Sequence, residues 1–137
     1  MPKVTVHRKA HFNAAHRLYR KDWSDEKNFD VFNKCSNPNF HGHNYELIVS
    51  LTGEINKDTG YVYDLGILKN LIKSEIEECF DHKNLNVEVP EFQELNPTAE
   101  NICVVTYDKL RKHLPTDLEL KITLYETPRN FVSYSGE

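Results

Sequence analysis

Among 137 residues there is no C-x-x-C pair, no run of 18 apolar residues and no block of lysines and arginines, and each absence removes a class of function. The three cysteines, Cys35, Cys79 and Cys103, are an odd number at wide spacing, which does not read as the disulfide framework of a secreted domain. Each therefore needs an explanation as a thiol. The opening Met1-Pro2-Lys3-Val4 lacks a basic region followed by an apolar one, so a signal peptide is not expected, and without a long apolar run neither is a membrane span. A cytoplasmic location is the expectation that follows. Lysine plus arginine number 17 against 21 aspartate plus glutamate, a net charge of −4, so nucleic acid is not an expected partner, although a local basic cluster suffices for a small polyanion. A chain of this length buries a core without disulfides, and one domain over 1–137 is expected.

What is present begins with alternation. Val4, Val6, Ala10, Phe12 and Ala14 alternate with polar residues, broken only by Arg8 on the apolar parity, which is the period of a half-buried strand, and His16 continues that parity. Residues 17 to 40 have no clean period and read as a long loop with room for a helical turn; long irregular loops in compact domains are usually functional. From His41 the alternation resumes through His43, Tyr45, Leu47, Val49 and Leu51. Gly53 to Gly60 is a turn, and Tyr61-Val62-Tyr63 is a short strand or a helix entry. Asp64 is the expected N-cap of a helix with Leu65, Leu68, Ile72, Ile76, Cys79 and Phe80 on one stripe, and Thr98 the cap of a second with Cys103, Tyr107, Leu110 and Leu114. Leu118 to Tyr125 and Asn130 to Tyr134 read as two further strands. The order strand, strand, helix, helix, strand, strand predicts an α+β fold, a four-stranded antiparallel sheet with two helices on one face.

His41-Gly42-His43 places two imidazoles on one face of a strand, with Cα atoms about 6.5 to 7 Å apart. In an antiparallel hairpin His16, at the end of the first strand, lies beside them, and the three converge. Imidazole donors favour zinc, and three histidines with an open position form a catalytic pattern. Cys35 has two readings: a fourth ligand closing a structural site, or a free thiol acting as base or nucleophile, helped by Lys34 and the metal's charge. The sequence leaves both open. Cys79 and Cys103 lie on helix stripes and read as small buried hydrophobes. His7, His11 and His113 fall outside the cluster.

Three further features are polar where context is not. Asp81-His82 after the first helix reads as a proton relay or as an ordinary helix terminus. Glu100 is placed where an acid satisfies a helix dipole. Glu126 ends the apolar parity of Leu118, Leu120, Ile122 and Leu124, where a carboxylate is costly unless paired N–H donors meet it.

These stretches together resemble the 6-pyruvoyl tetrahydropterin synthase family: F-N-A-A-H-R-L-Y (12–19), K-C-S-N-P-N-F-H-G-H-N-Y (34–45), D-H-K-N-L-N (81–86), P-T-A-E-N (97–101) and L-Y-E-T (124–127), in the family's order over nearly the whole chain. The resemblance implies the T-fold, with trimers closing a barrel and two trimers stacking into a homohexamer with interfacial active sites. It implies Zn2+ on His16, His41 and His43, Cys35 as base, Asp81 and His82 as its relay, and Glu126 as anchor for the pterin edge, with Glu100 and Thr98 nearby. Ala99 departs from a second threonine associated with animal members, a difference that bears on one hydrogen bond of the implied pocket and not on the chemistry. The implied substrate is 7,8-dihydroneopterin triphosphate, its phosphates met by some of Arg17, Arg20, Lys21, Lys34 and Lys83.

Two enzymes share this scaffold. One eliminates triphosphate to give 6-pyruvoyl-tetrahydropterin for tetrahydrobiopterin; the other also releases acetaldehyde and gives 6-carboxy-tetrahydropterin on the queuosine route. The five residues between Cys35 and His41, and the ending N-P-N-F-H-G-H-N-Y, resemble the pyruvoyl type. A non-catalytic zinc- or pterin-binding domain, with Cys35 as fourth ligand, is the alternative from another class.

Overall fold

Two long strands organise the computed structural model, which describes residues 2–137. β1 (Lys3–His16) and β2 (His41–Glu54) pair antiparallel without a slip, from Lys3 opposite Glu54 to His16 opposite His41. Alternation sorts their faces. Ala10, Phe12, Ala14 and His16 are buried with Tyr45, Leu47, Val49 and Leu51, while Lys9, His11, Asn13, Asn44 and Glu46 are exposed on the other side. β4 (Glu119–Tyr125) joins β2, and β5 (Phe131–Tyr134) joins β4, both antiparallel.

The expected helices cover the apolar face. The first runs as α2 (Leu65–Ile72), a π-helical turn over Lys73–Glu77 and α3 (Glu78–Phe80). Asp64 caps it, its carboxylate accepting from the Gly66 and Ile67 N–H groups. The second, α5 (Ala99–Arg111), is capped by Thr98, whose hydroxyl accepts from the Asn101 N–H at 3.1 Å. Leu68, Ile72, Ile76 and Phe80 from one, and Ile102, Cys103 and Leu110 from the other, complete a core with the sheet. Its centre is aromatic: Phe12 stacks on Tyr45 at 4.9 Å and meets Phe80 edge-on at 5.5 Å. Such pairs add about 0.5–1.5 kcal/mol beyond simple burial. The Cys103 thiol lies in this core, 3.5 Å from the Ile122 carbonyl, and burial pushes its pKa up to about 11. Cys79 is half-buried at the margin. Both behave as packing residues.

The α+β class and the helix-covered face are as the sequence predicts, but the sheet has five strands and is mixed. A two-residue strand, β3 (Lys83–Asn84), adds to the outer edge of β1 in parallel, opposite Ala14 and Ala15, giving the order β3-β1-β2-β4-β5. Two residues carry no period, and the pairing depends instead on a tether. The Asp81 carboxylate accepts the Asn13 N–H at 2.8 Å, and the His82 N–H donates to the Asn13 carbonyl at 2.6 Å. A short helix, α4 (Leu85–Glu88), follows.

The 17–40 segment is also more ordered than a loop. It holds α1 (Asp25–Phe32) and a 3-10 turn over Asn33–Ser36. α1 has no apolar stripe facing the core: Phe29 and Val31 are exposed and its buried residue is Asn28. The Asn28 amide accepts from the Arg20 N–H at 2.7 Å and donates to the Arg20 and Ser24 carbonyls at 2.9 and 3.0 Å. One polar side chain thus folds the segment back on itself. Tyr61-Val62-Tyr63 forms a bend leading into Asp64.

Candidate active site

At the far end of the β1–β2 ribbon, His16, His41 and His43 bring one ring nitrogen each within 4.8 Å of one another. Register does this: His16 pairs opposite His41, and His43 lies one pleat further along the same face. His16 is fully buried. Its Nδ1 donates to the Pro97 carbonyl at 2.7 Å, with the Tyr45 hydroxyl 3.3 Å away. That bond leaves the lone pair on Nε2, which stands 3.0 Å from the His41 Nε2. The His43 Nε2 is buried with no hydrogen-bond partner, a costly arrangement that a metal ion would resolve. Three convergent imidazoles, one fixed in tautomer by a carbonyl and one orphaned, fit a divalent transition metal.

Burial, with the neighbouring histidines, lowers the His16 pKa from 6.5 to about 4, against the raising effect of its bond to Pro97. The unfolded chain therefore takes up this proton first. Stability of the metal-free protein is expected to be full above pH 6.5 and to fall as pH drops toward 4, by about 3 kcal/mol if that shift is taken whole. Urea unfolding of the metal-free chain between pH 4 and 7 measures it; a flat profile refutes it.

Cys35 is half-buried in the 3-10 turn, and it is not a member of the histidine cluster. Burial pushes its thiol pKa up, and the Glu126 carboxylate adds to that. Lys34 is exposed and is not among the charges that reach the thiol. The stretch bearing it is held between two residues with left-handed backbone, Asn33 at φ 53° and Phe40 at φ 65°. For Phe40 this is an uncommon conformation, costing on the order of 1–3 kcal/mol, and it directly precedes His41.

The three residues read as substrate contacts come together. Thr98, Glu100 and Glu126 line one cleft of about 510 Å³, with Arg129 contributing from the β4–β5 turn and Phe131 from β5. Glu126 lies close enough to the histidine end for its charge to act on Cys35, His41 and Tyr45. Asp81 and His82 stand apart from this group within the chain. Their carboxylate and ring are paired at 2.9 Å, and the Asn13 N–H bond holds the Asp81 pKa below the usual carboxylate value. His82, at φ 60°, is exposed beside the β1 edge, and the groups acting on Asp81 are Asn13, His82 and His11. The Pro97 carbonyl and the Tyr45 hydroxyl escaped the sequence reading. Tyr45 had a visible signal, since it continues the His41, His43 parity.

The sequence profile of 6-pyruvoyl tetrahydropterin synthase matches residues 5–137. The chain belongs to that family. It is 48% identical over 135 residues to the 6-pyruvoyl tetrahydrobiopterin synthase of Pongo abelii and 46% identical over 135 residues to that of Homo sapiens, covering 98% of this chain and 93% of each relative. The solved structure of Caenorhabditis elegans 6-pyruvoyl tetrahydropterin synthase superposes with a TM-score of 0.94 at 40% identity, over 100% of this chain and 98% of that one. The fold is thus the T-fold architecture of the family's structures. Among the described residues no helix is long and apolar enough to cross a membrane.

Proposed function

We propose that the chain is a zinc-dependent lyase acting on 7,8-dihydroneopterin triphosphate, eliminating triphosphate to give 6-pyruvoyl-tetrahydropterin. The observation that carries this is the three-histidine cluster, with His16 buried and His41 and His43 half-buried, together with a separate thiol and a carboxylate-lined cleft whose Glu126 acts on both. His16, His41 and His43 would hold the zinc, which supplies Lewis acidity to the hydroxyls of the substrate's side chain. Glu126 accepts the paired N–H groups of the pterin's edge, which offsets the cost of its place at the end of an apolar strand face. Glu100 and Thr98 line the same cleft; the Thr98 hydroxyl, already accepting from Asn101, keeps its own proton to donate.

Cys35 takes a proton from the side-chain carbon next to the pterin ring. Its raised pKa in the isolated chain means that it needs a nearby cation to serve as a base at neutral pH. Asp81 and His82 return or relay that proton from a second copy of the chain, in the trimer and hexamer the family resemblance implies, since within one chain they sit at the β1 edge. The exposed His82 ring, oriented by Asp81 at 2.9 Å, suits a relay that is completed across an interface.

The five-residue spacing from Cys35 to His41 and the family's close relatives support the pyruvoyl product over the 6-carboxy one. Incubation of the metal-loaded protein with 7,8-dihydroneopterin triphosphate is expected to release triphosphate without acetaldehyde. Stoichiometric acetaldehyde would assign the carboxy reaction instead. Glu126→Gln is expected to weaken pterin binding about 10- to 100-fold, since it replaces a charged acceptor, and fluorescence titration with neopterin reads this directly. Unchanged affinity would remove Glu126 from the pterin site. The structural-zinc reading is disfavoured because Cys35 stands outside the histidine cluster.

A further inference from the structure

Five cations are candidates for the phosphate arm, and the structure separates them. Arg20 is already neutralised by Asp22, held by two bonds of 2.8 and 2.7 Å. Lys21 is exposed and makes no ion pair among the described residues, and Lys83 lies in β3 at the sheet edge. Arg17 is different. It follows His16 directly, and its backbone is locked by Asn86, whose amide accepts the Arg17 N–H at 2.7 Å and donates to the Arg17 carbonyl at 2.9 Å. Its Nε donates to the Ser36 carbonyl at 2.7 Å, and its guanidinium lies 3.7 Å over the Tyr19 ring. No carboxylate pairs with it among the described residues, so a fixed, half-buried charge keeps its terminal N–H groups for something else.

A second cleft, of about 810 Å³, shows where that charge is presented. Arg17 next to His16, Phe40 next to His41, and Thr98 next to the Pro97 carbonyl that holds His16 all line it, so this cleft flanks the histidine cluster through three of its immediate neighbours. Thr98 also lines the Glu126 cleft, so the two clefts share a wall. Arg17 and Lys34 both line a further cleft of about 510 Å³. The clefts thus adjoin in sequence, from Glu126 through Thr98 to Arg17 and out to Lys34.

We infer that Arg17 is the anchor of the substrate's polyphosphate arm, with Lys34 as a second, more mobile cation beyond it, so that the pterin lies at the Glu126 end and the leaving group at the Arg17 end. This rests on the reading that the substrate is a phosphorylated pterin. A planar guanidinium held by a carbonyl and an aromatic face is preorganised for two phosphate oxygens, which a free lysine is not.

The test compares 7,8-dihydroneopterin triphosphate with unphosphorylated neopterin on the metal-loaded enzyme. Arg17→Gln is expected to weaken the triphosphate about 10- to 100-fold while leaving neopterin affinity within about twofold, and Arg17→Lys to recover part of the loss. Lys34→Gln, at an exposed position, is expected to cost roughly threefold or less for the triphosphate only. The KM of the wild type for the triphosphate is expected to rise with salt, and this slope to flatten in Arg17→Gln; a purely structural role would not move it. Equal weakening of both molecules would overturn the inference, making Arg17 a strut for the Ser36 carbonyl, and so would no weakening of either. Neopterin binding that survives in the wild type while the triphosphate gains nothing over it would overturn the inference alone. A wild type that binds neither molecule would overturn the pterin reading beneath it.

Discussion

A His16→Ala chain is expected to hold its metal at least about 100-fold more weakly and to lose turnover with it, which exceeds what the loss of a supporting outer partner would do. The reason lies in how much of the centre passes through this side chain. His16 supplies the Nε2 nearest His41, at 3.0 Å, and its Nδ1 bond to the Pro97 carbonyl ties the strand end to the entrance of α5. Alanine leaves two ligands, too few for a site built of imidazoles alone. Metal content after dialysis, measured beside activity, reads the effect. Full occupancy together with wild-type turnover would refute the centre. A second signature is independent of activity: the metal-free variant no longer carries a buried imidazole whose pKa is pulled to about 4, so the acid limb of its stability profile is expected to shrink.

Cys35→Ala is expected to behave in the opposite way, keeping its metal while turnover falls about 100- to 10,000-fold, the usual contribution of a general base. Cys35 stands outside the histidine cluster, so removing it subtracts no ligand. It does subtract the one thiol near the site, Cys79 and Cys103 being placed in helix packing. Cys35→Ser is a useful companion, because a hydroxyl of similar size is far harder to deprotonate. In the wild type the rate should climb as pH rises through the thiol's pKa, since only the thiolate accepts a proton. Burial and Glu126 move that limb to higher pH and a bound cation moves it lower. The climb is expected to vanish in Cys35→Ala. Loss of metal in that variant would restore the fourth-ligand reading and sink the base.

Alternation made most of the ribbon legible. The β1 and β2 parities place Phe12, Ala14 and His16 on the same side as His41, His43 and Tyr45, and the histidine cluster follows from that and a hairpin register. Asp64 and Thr98 were readable because a capping side chain followed by a helical stripe is a local signal. The segments that escaped are stabilised by non-local polar contacts. β3 exists because Asp81 and His82 bond to Asn13, 68 residues earlier in the Asp81 case. α1 is folded around the amide of Asn28 and leaves Phe29 and Val31 outside, the reverse of what a periodicity search seeks. The site was readable in its residue types and only partly in its grouping. Thr98, Glu100 and Glu126 meet in one cleft, whereas Asp81 and His82 lie beside another part of the strand.

The unbroken pairing from Lys3 opposite Glu54 to His16 opposite His41 puts the three histidines at the end of the ribbon where the 17–40 segment connects its strands. A slip of a single residue between these strands would turn one strand's ligands to the solvent side, because side-chain direction reverses with every step. Occupancy of the three histidines would therefore act as a proofreading signal for the ribbon: an ion would settle only on chains whose strands have closed in phase, and holding them there would penalise every misaligned partner. Metal supplied during refolding should raise the yield of correctly paired chains more than the same metal added afterwards.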